Sequence, residues 1–215
     1  NGEFLSSPRL DNLASVFASL ETVVQTTKGV CVAACLDNEE VGSRTRQGAG
    51  GDFLSAALTR IALAQGMTEE DKLCAYARSF CISLDNAQGY HPNHGEKYDP
   101  QERAMLGKGA AIKGHAGGAY TTDALSSAVA KKIFEKAGAP LQVFYNHSDA
   151  RSGSTLGAIS LGQVCILTVD IGLPQLAMHS AVETIACDDY RSLKEGLAAF
   201  WSSEISVDGT CITID

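Results

Sequence analysis

Acidic side chains and histidines gather in this chain where apolar runs give out. CVAACL (31–36) stops at Asp37-Asn38-Glu39-Glu40, and FCISL (80–84) stops at Asp85. LQVFYN (141–146) leads to His147 and Asp149, and VCILTV (164–169) leads to Asp170 and then His179. Asp11 opens the first long helical pattern, where a carboxylate also suits a backbone cap. Carboxylates and imidazoles brought to one edge would repel and desolvate one another unless a cation neutralised them. Oxygen ligands with one or two histidines suit zinc, manganese or cobalt. Adjacent side chains point different ways, so of Glu39 and Glu40 one can bind metal while the other serves a water as general base. The spacing alone leaves a plain acidic rim as the competing reading.

The elements that must position these groups follow from hydrophobic periodicity. Leu13, Val16, Phe17, Leu20, Val23 and Val24 are helically spaced between Leu10 and Thr27, with Gly29 as a stop. GVCVAACL (29–36) predicts a buried strand. Asp52 is the expected cap of a helix with Phe53, Leu54, Ala57, Leu58 and Ile61 inward. Strands are expected at 79–84, 109–113, 141–146 and 164–169, with a polar loop over 86–107. Thr122-Asp123 opens a helix that Gly138 closes, another helix covers 189–200, and a strand pair flanks Asp208-Gly209. Such alternation predicts an α/β fold, a three-layer α/β/α sandwich with a mostly parallel central sheet. Sites in such sheets lie at the carboxyl ends of the strands.

Bulk properties narrow the partners. The 215 residues are 45% hydrophobic and carry a net charge of −8, which suits a real core and lacks the basic patch of a nucleic-acid surface. No apolar stretch approaches the ~20 residues needed to span a bilayer. Seven cysteines, an odd number without a CxxC pair, read as buried reduced residues of a cytoplasmic protein.

Six segments in order carry a resemblance: SSPRLDNLAS (6–15), DNEEVGS (37–43), SLDNAQGYHPNHGEKYDP (83–100), GAAIK (109–113), HSDARSGSTLGAI (147–159) and DIGLPQLAMHS (170–180). Together they resemble the aspartyl aminopeptidases, the M18 family of two-metal exopeptidases. The resemblance implies a divalent metal pair, Zn2+ first with Mn or Co as options, and a peptide substrate with an acidic N-terminal residue. By the same resemblance Asp11 bridges the metals, Glu40 and His179 complete the first and Asp85 belongs to the second. Glu39 would then be the general base acting on a water shared between them. Lys113 and Tyr120 would flank the pocket for the acidic side chain, with Asp149 and Ser154 in the loop lining the site.

Family members are roughly twice this length and form homo-oligomers, and the chain matches their later half. The expectation is one catalytic domain over 1–215, truncated at its N-terminus and without the family's inserted dimerisation domain. Such a core would hold one metal tightly or none and have little activity. A related two-metal peptidase or deacylase of other specificity and a non-catalytic metal-binding paralogue are the alternatives. Ala181-Val182 precedes Glu183 without the arginine usual in the family, and Gln88 stands where histidine is frequent. His91 and His94 read as surface residues, and Asp170 as a structural residue holding the loop that presents His179.

Overall fold

The computed structural model describes residues 2–26, 29–150, 153–209 and 211–215. Strand β1 (Phe4–Ser7) leads into α1 (Leu10–Val23), and a single 3-10 turn (Glu39–Val41) precedes α2 (Phe53–Ala64) and α3 (Glu69–Ala77). Then come β2 (Phe80–Leu84), β3 (Ala87–Gln88), a 3-10 segment (Pro92–Lys97), β4 (Ala110–Gly114), α4 (Ala124–Ala137) and β5 (Leu141–Tyr145). The chain continues through α5 (Leu156–Ser160), β6 (Leu167–Gly172), β7 (Pro174–Leu176), β8 (Glu183–Ala186) and α6 (Cys187–Ser202). It closes with β9 (Ile205–Asp208) and β10 (Cys211–Ile214).

One sheet has the order β2-β6-β4-β5, with β2/β6 and β4/β5 parallel and β6/β4 antiparallel. A second sheet, β1-β8-β7-β3, is antiparallel apart from β3/β7. The terminal pair β9/β10 is antiparallel, as expected, although Thr210 lies outside the described residues. Every residue of β4 is buried, as in a strand covered on both faces. Its side chains alternate: Ala110 and Ile112 join a core with Val129, Ile133 and Phe134 of α4, Leu193 and Leu197 of α6, and Ala14 and Ala18 of α1. Ala111 faces the other way, onto Phe144, Tyr98, Ala104 and Tyr120. That second face is thus covered in part by loop aromatics, with the short α5 touching β2 and β6. The α/β architecture is as expected.

Capping explains the helices that sequence located well. Asp123 accepts the N–H of Ser126 at 2.7 Å, Ser126 Oγ accepts the N–H of Asp123 at 3.0 Å, and Gly138 ends α4 at φ +66°. Gly196 lets α6 lie against α4, because a Cβ there would run into the Phe134 ring.

Three expectations need correction. Residues 29–36 form no strand; they run as exposed and half-buried coil, with Val30 and Val32 exposed. An apolar β-prone run becomes a strand only where an edge takes its hydrogen bonds, and none of the described strands pairs with it. The α1 stripe is also turned round. Leu10, Ala14, Ser15, Ala18 and Thr22 are buried, whereas Leu13, Phe17, Leu20 and Val24 are exposed; Thr27 lies outside the described residues. The helix is apolar on two faces, and the small one packs more closely. The cysteines, thirdly, are not buried: Cys35, Cys74, Cys165 and Cys211 are exposed free thiols and Cys81 and Cys187 half-buried ones.

Asp52 precedes α2 but makes no side-chain cap, and of that helix only Ala62 is fully buried. The large face of α1, the coil 30–36, α2 and β2 together line an open cavity of about 1280 Å³. Among the described residues no helix is long and apolar enough to cross a membrane.

Candidate metal centre

Two copies of one tripeptide build the floor of the site. Leu10-Asp11-Asn12 enters α1 and Leu84-Asp85-Asn86 leaves β2. Asn12 Nδ2 donates to the carbonyl of Leu84 at 2.8 Å, and Asn86 Nδ2 donates to the carbonyl of Leu10 at 3.0 Å. Each asparagine therefore grips the residue before the other's aspartate, which brings the two carboxylates to one place. Asn86 is buried and also accepts from Ser15 Oγ at 3.0 Å. Neither asparagine was singled out from sequence. The repeated Leu-Asp-Asn was the available signal.

Glu39 and Glu40 sit in the 3-10 turn, between Asn38 at φ +60° and Gly42 at φ +94°. The turn is tied by Gly42 N–H to the Glu39 carbonyl at 2.8 Å and by Ser43 N–H to the Asn38 carbonyl at 2.9 Å. His179 lies in the connection between β7 and β8, itself at φ +66°. Its Nε2 is 3.2 Å from Asp11 Oδ2 and 3.1 Å from Glu40 Oε1. One ligand atom from each of Asp11, Glu40 and His179 falls within 4.8 Å of the others. Two carboxylates and an imidazole from three separate segments are a donor set for a borderline divalent ion.

The electrostatics fit that chemistry. Burial, followed by the charges of Asp85 and Glu40, pushes the Asp11 carboxyl up to about 6, while His179 pulls it down. Burial, followed by Asp85, Glu40 and Asp11, pushes Glu39 up to about 7 against the opposing charge of Lys113. A cation at the cluster would reverse this strain by favouring the charged forms.

A pH dependence follows. Both folded values exceed the ordinary 3.8 and 4.5, so the folded chain holds these protons more tightly than the unfolded chain. That stability is complete below the ordinary values and lost as the pH rises through about 6 for Asp11 and about 7 for Glu39. Metal-free protein in chelator should therefore lose urea stability over this window relative to Glu39→Gln, which has no proton to release. Parallel profiles for the two proteins would contradict the assignment.

Asp85 is held differently from the three clustered groups. Ile171 of β6 faces Leu84 of β2 on one side and Ile112 of β4 on the other. Because β2 and β4 run in opposite directions, Asp85 and Lys113 lie one residue to either side of that rung, a gap the long lysine side chain spans. Lys113 Nζ donates to Asp85 Oδ2 at 2.8 Å and to the Asn86 carbonyl at 3.2 Å. Lys113 is 2% exposed, and its ammonium lies 5.0 Å from the centroid of the buried Tyr120 ring. Lys113 and Tyr120 are thus brought together, with the ammonium turned onto a carboxylate. Asp149 and Ser154 are exposed, and Asp149 is not one of the three clustered groups; Arg151 and Ser152 of their loop lie outside the described residues.

Asp170 does not hold the His179 loop. Buried in β6, its carboxylate accepts from Thr121 N–H and Thr121 Oγ1, both at 2.6 Å, and from Thr155 Oγ1 at 2.7 Å. It moors the segment after β4 and the segment before α5.

Comparison with known proteins gives the chain a family. A family model described as Aminopeptidase I zinc metalloprotease (M18) matches residues 1–201. A probable M18 family aminopeptidase 2 of Clostridium novyi is 48% identical over 190 residues, covering 87% of this chain and 44% of that protein. Among solved structures, a complex of Ape4 with Nbr1 matches at TM-score 0.84 and 32% identity, over 93% of this chain and 39% of that one. The mApe1 dodecamer of S. cerevisiae matches at TM-score 0.76 and 27% identity, over 93% and 46%. The chain therefore spans about half the length of the curated relatives it matches. On the family match and the relatives together, the chain belongs to the M18 family of aminopeptidase I zinc metalloproteases.

Proposed function

We propose that residues 1–215 are a portion of the catalytic domain of a metallo-aminopeptidase, in which Asp11, Glu40 and His179 hold a divalent ion, Zn2+ first among candidates. The observation that carries this reading is the convergence of three ligand atoms within 4.8 Å from segments far apart in sequence. An ion bound there would supply Lewis-acid activation of a peptide carbonyl and of a water. Glu39, with a carboxyl pushed up to about 7, is matched to taking a proton from that water near neutral pH. As an acid it can return the proton to the departing amine. Asp11 is suited to face a second ion with Asp85, but Asp85 already carries the Lys113 ammonium. This chain by itself is therefore expected to take up one ion tightly and to turn over slowly.

Preference for an N-terminal Asp or Glu is the finer part of the proposal. Lys113 and Tyr120 would receive the acidic side chain once a cation on Asp85 released the ammonium, with Asp149 and Ser154 on the approach. The burial of Lys113 against Asp85 favours a second reading, a related two-metal peptidase of other side-chain preference. The similarity to a dodecameric enzyme supports a homo-oligomer for the whole protein. Free cysteines such as Cys35 and Cys165 support a reducing, cytoplasmic setting.

Calorimetric titration of the metal-free chain with Zn2+ tests the reading; one tight ion per chain is expected. No uptake would refute it, and two tight ions would refute the role given to Lys113. Comparing aspartyl, glutamyl and leucyl amides as substrates of the loaded chain separates acidic from general specificity.

A further inference from the structure

His179 and Asp11 reach the cluster by different routes, yet the routes meet at one residue. The β7–β8 connection carries His179, and β8 pairs with β1, which runs into Asp11. Glu183 opens β8 opposite Ser7 of β1 and is 2% exposed. Both of its carboxyl oxygens are spent on backbone. Oε2 accepts the N–H of Asp11 at 2.9 Å, and Oε1 accepts the N–H of His179 at 2.8 Å. One side chain therefore grips the main chains of two of the three clustered residues.

The gripped segments need such a hold. Arg9, Ala177 and His179 all lie at positive φ, +59°, +56° and +66°, a region side-chain-bearing residues seldom adopt. Conformations of that kind persist where the surroundings over-determine them. His179 is itself mostly exposed, so packing of its ring does little to fix it.

We propose that Glu183 is a positioning residue of the metal centre. By accepting the N–H of Asp11 and of His179 at once, it presents their side chains in a single mutual arrangement before the ion arrives. The inference rests on the metal centre proposed above. Side chains supporting ligands from outside the coordination sphere commonly govern metal affinity, because a pre-set site has no ordering left to do. Here the grip falls on ligand backbones, so Asp11 and His179 are set together or not at all.

Glu183→Gln tests this. The amide keeps the size of the side chain and one acceptor oxygen, but turns an NH2 group toward the other backbone N–H. Competition with a chromophoric chelator should show Zn2+ affinity of the metal-free chain falling about 10–100-fold. The Co2+-loaded variant should show an altered d–d absorption band. Asp189→Asn supplies the comparison. Asp189 is buried and also accepts two backbone N–H groups, Gly107 at 2.8 Å and Gly109 at 2.6 Å, on a loop that carries none of the clustered residues. That variant should lower the thermal midpoint while leaving Zn2+ affinity and the Co2+ spectrum unchanged.

Wild-type affinity and spectrum in Glu183→Gln would overturn the proposal, as would equal loss of affinity in both variants. If Glu183→Gln does not fold, hydrogen exchange on the unaltered protein decides. The N–H groups of Asp11 and His179 should both be protected, and exchange of either at the unprotected rate overturns the grip. A wild-type chain that takes up no Zn2+ would overturn the metal centre and this inference together, an outcome distinct from equal binding by wild type and variant.

Discussion

Lys113→Met is expected to cost the metal-free protein about 3–5 kcal/mol of stability, the usual penalty for removing one partner of a buried ion pair. Lys113 is 2% exposed and Asp85 16%, so water cannot replace the ammonium cheaply. The orphaned Asp85 would face Asp11 and Glu39, both of which already feel its charge. Losing Lys113 also removes a charge that lowers the Glu39 pKa, so that carboxyl should rise above about 7. The same substitution removes the cation that competes for Asp85. Zn2+ should therefore raise the urea midpoint of Lys113→Met more than that of wild type, and a second, weaker ion should become detectable. Equal midpoints for the two proteins in chelator would contradict the pairing.

His179→Ala and Glu39→Gln should separate holding an ion from using it. Structural zinc sites with four ligands bind with roughly 10–16 kcal/mol, or roughly 3 kcal/mol per ligand, so loss of the imidazole should weaken Zn2+ binding by about a hundredfold or more. Glu39 is not one of the three clustered donors, and its replacement should leave Zn2+ affinity close to wild type. It should instead lower Zn2+-dependent hydrolysis of aminoacyl amides by about 10²–10⁴-fold, the usual contribution of a general base. A Glu39→Gln protein that turns over normally, or a His179→Ala protein that binds normally, would reverse the assignments.

The parts of the fold legible in sequence are those determined locally. The α4 helix announces itself through Thr122-Asp123 and Gly138, and β2, β4 and β5 lie within a residue or so of the expected runs. Helix α3 carried a readable capping box, Thr68 with Asp71, but no fully buried residue, so hydrophobic periodicity passed it over. Residues 29–36 fail for the opposite reason. Their pattern is right for a strand, but pattern does not supply a hydrogen-bonding neighbour. The site divides along the same line. Residue type and position after apolar runs pointed to Glu39, Glu40, Asp85 and His179, with Asp11 at a helix start, while the Lys113–Asp85 contact depends on strand order and was hidden. Glu183 was visible only as the glutamate after Ala181-Val182. Its role appears only when β1 and β8 are seen side by side.

Asp170 also has a consequence for how the site can move. Thr121 directly follows Tyr120 and Thr155 directly follows Ser154, and both threonines bond the same buried carboxylate. The segment after β4 and the segment before α5 thus share a single keel. A displacement that lifts one segment must drag the other or break from a common pivot, so neither is free to flex alone.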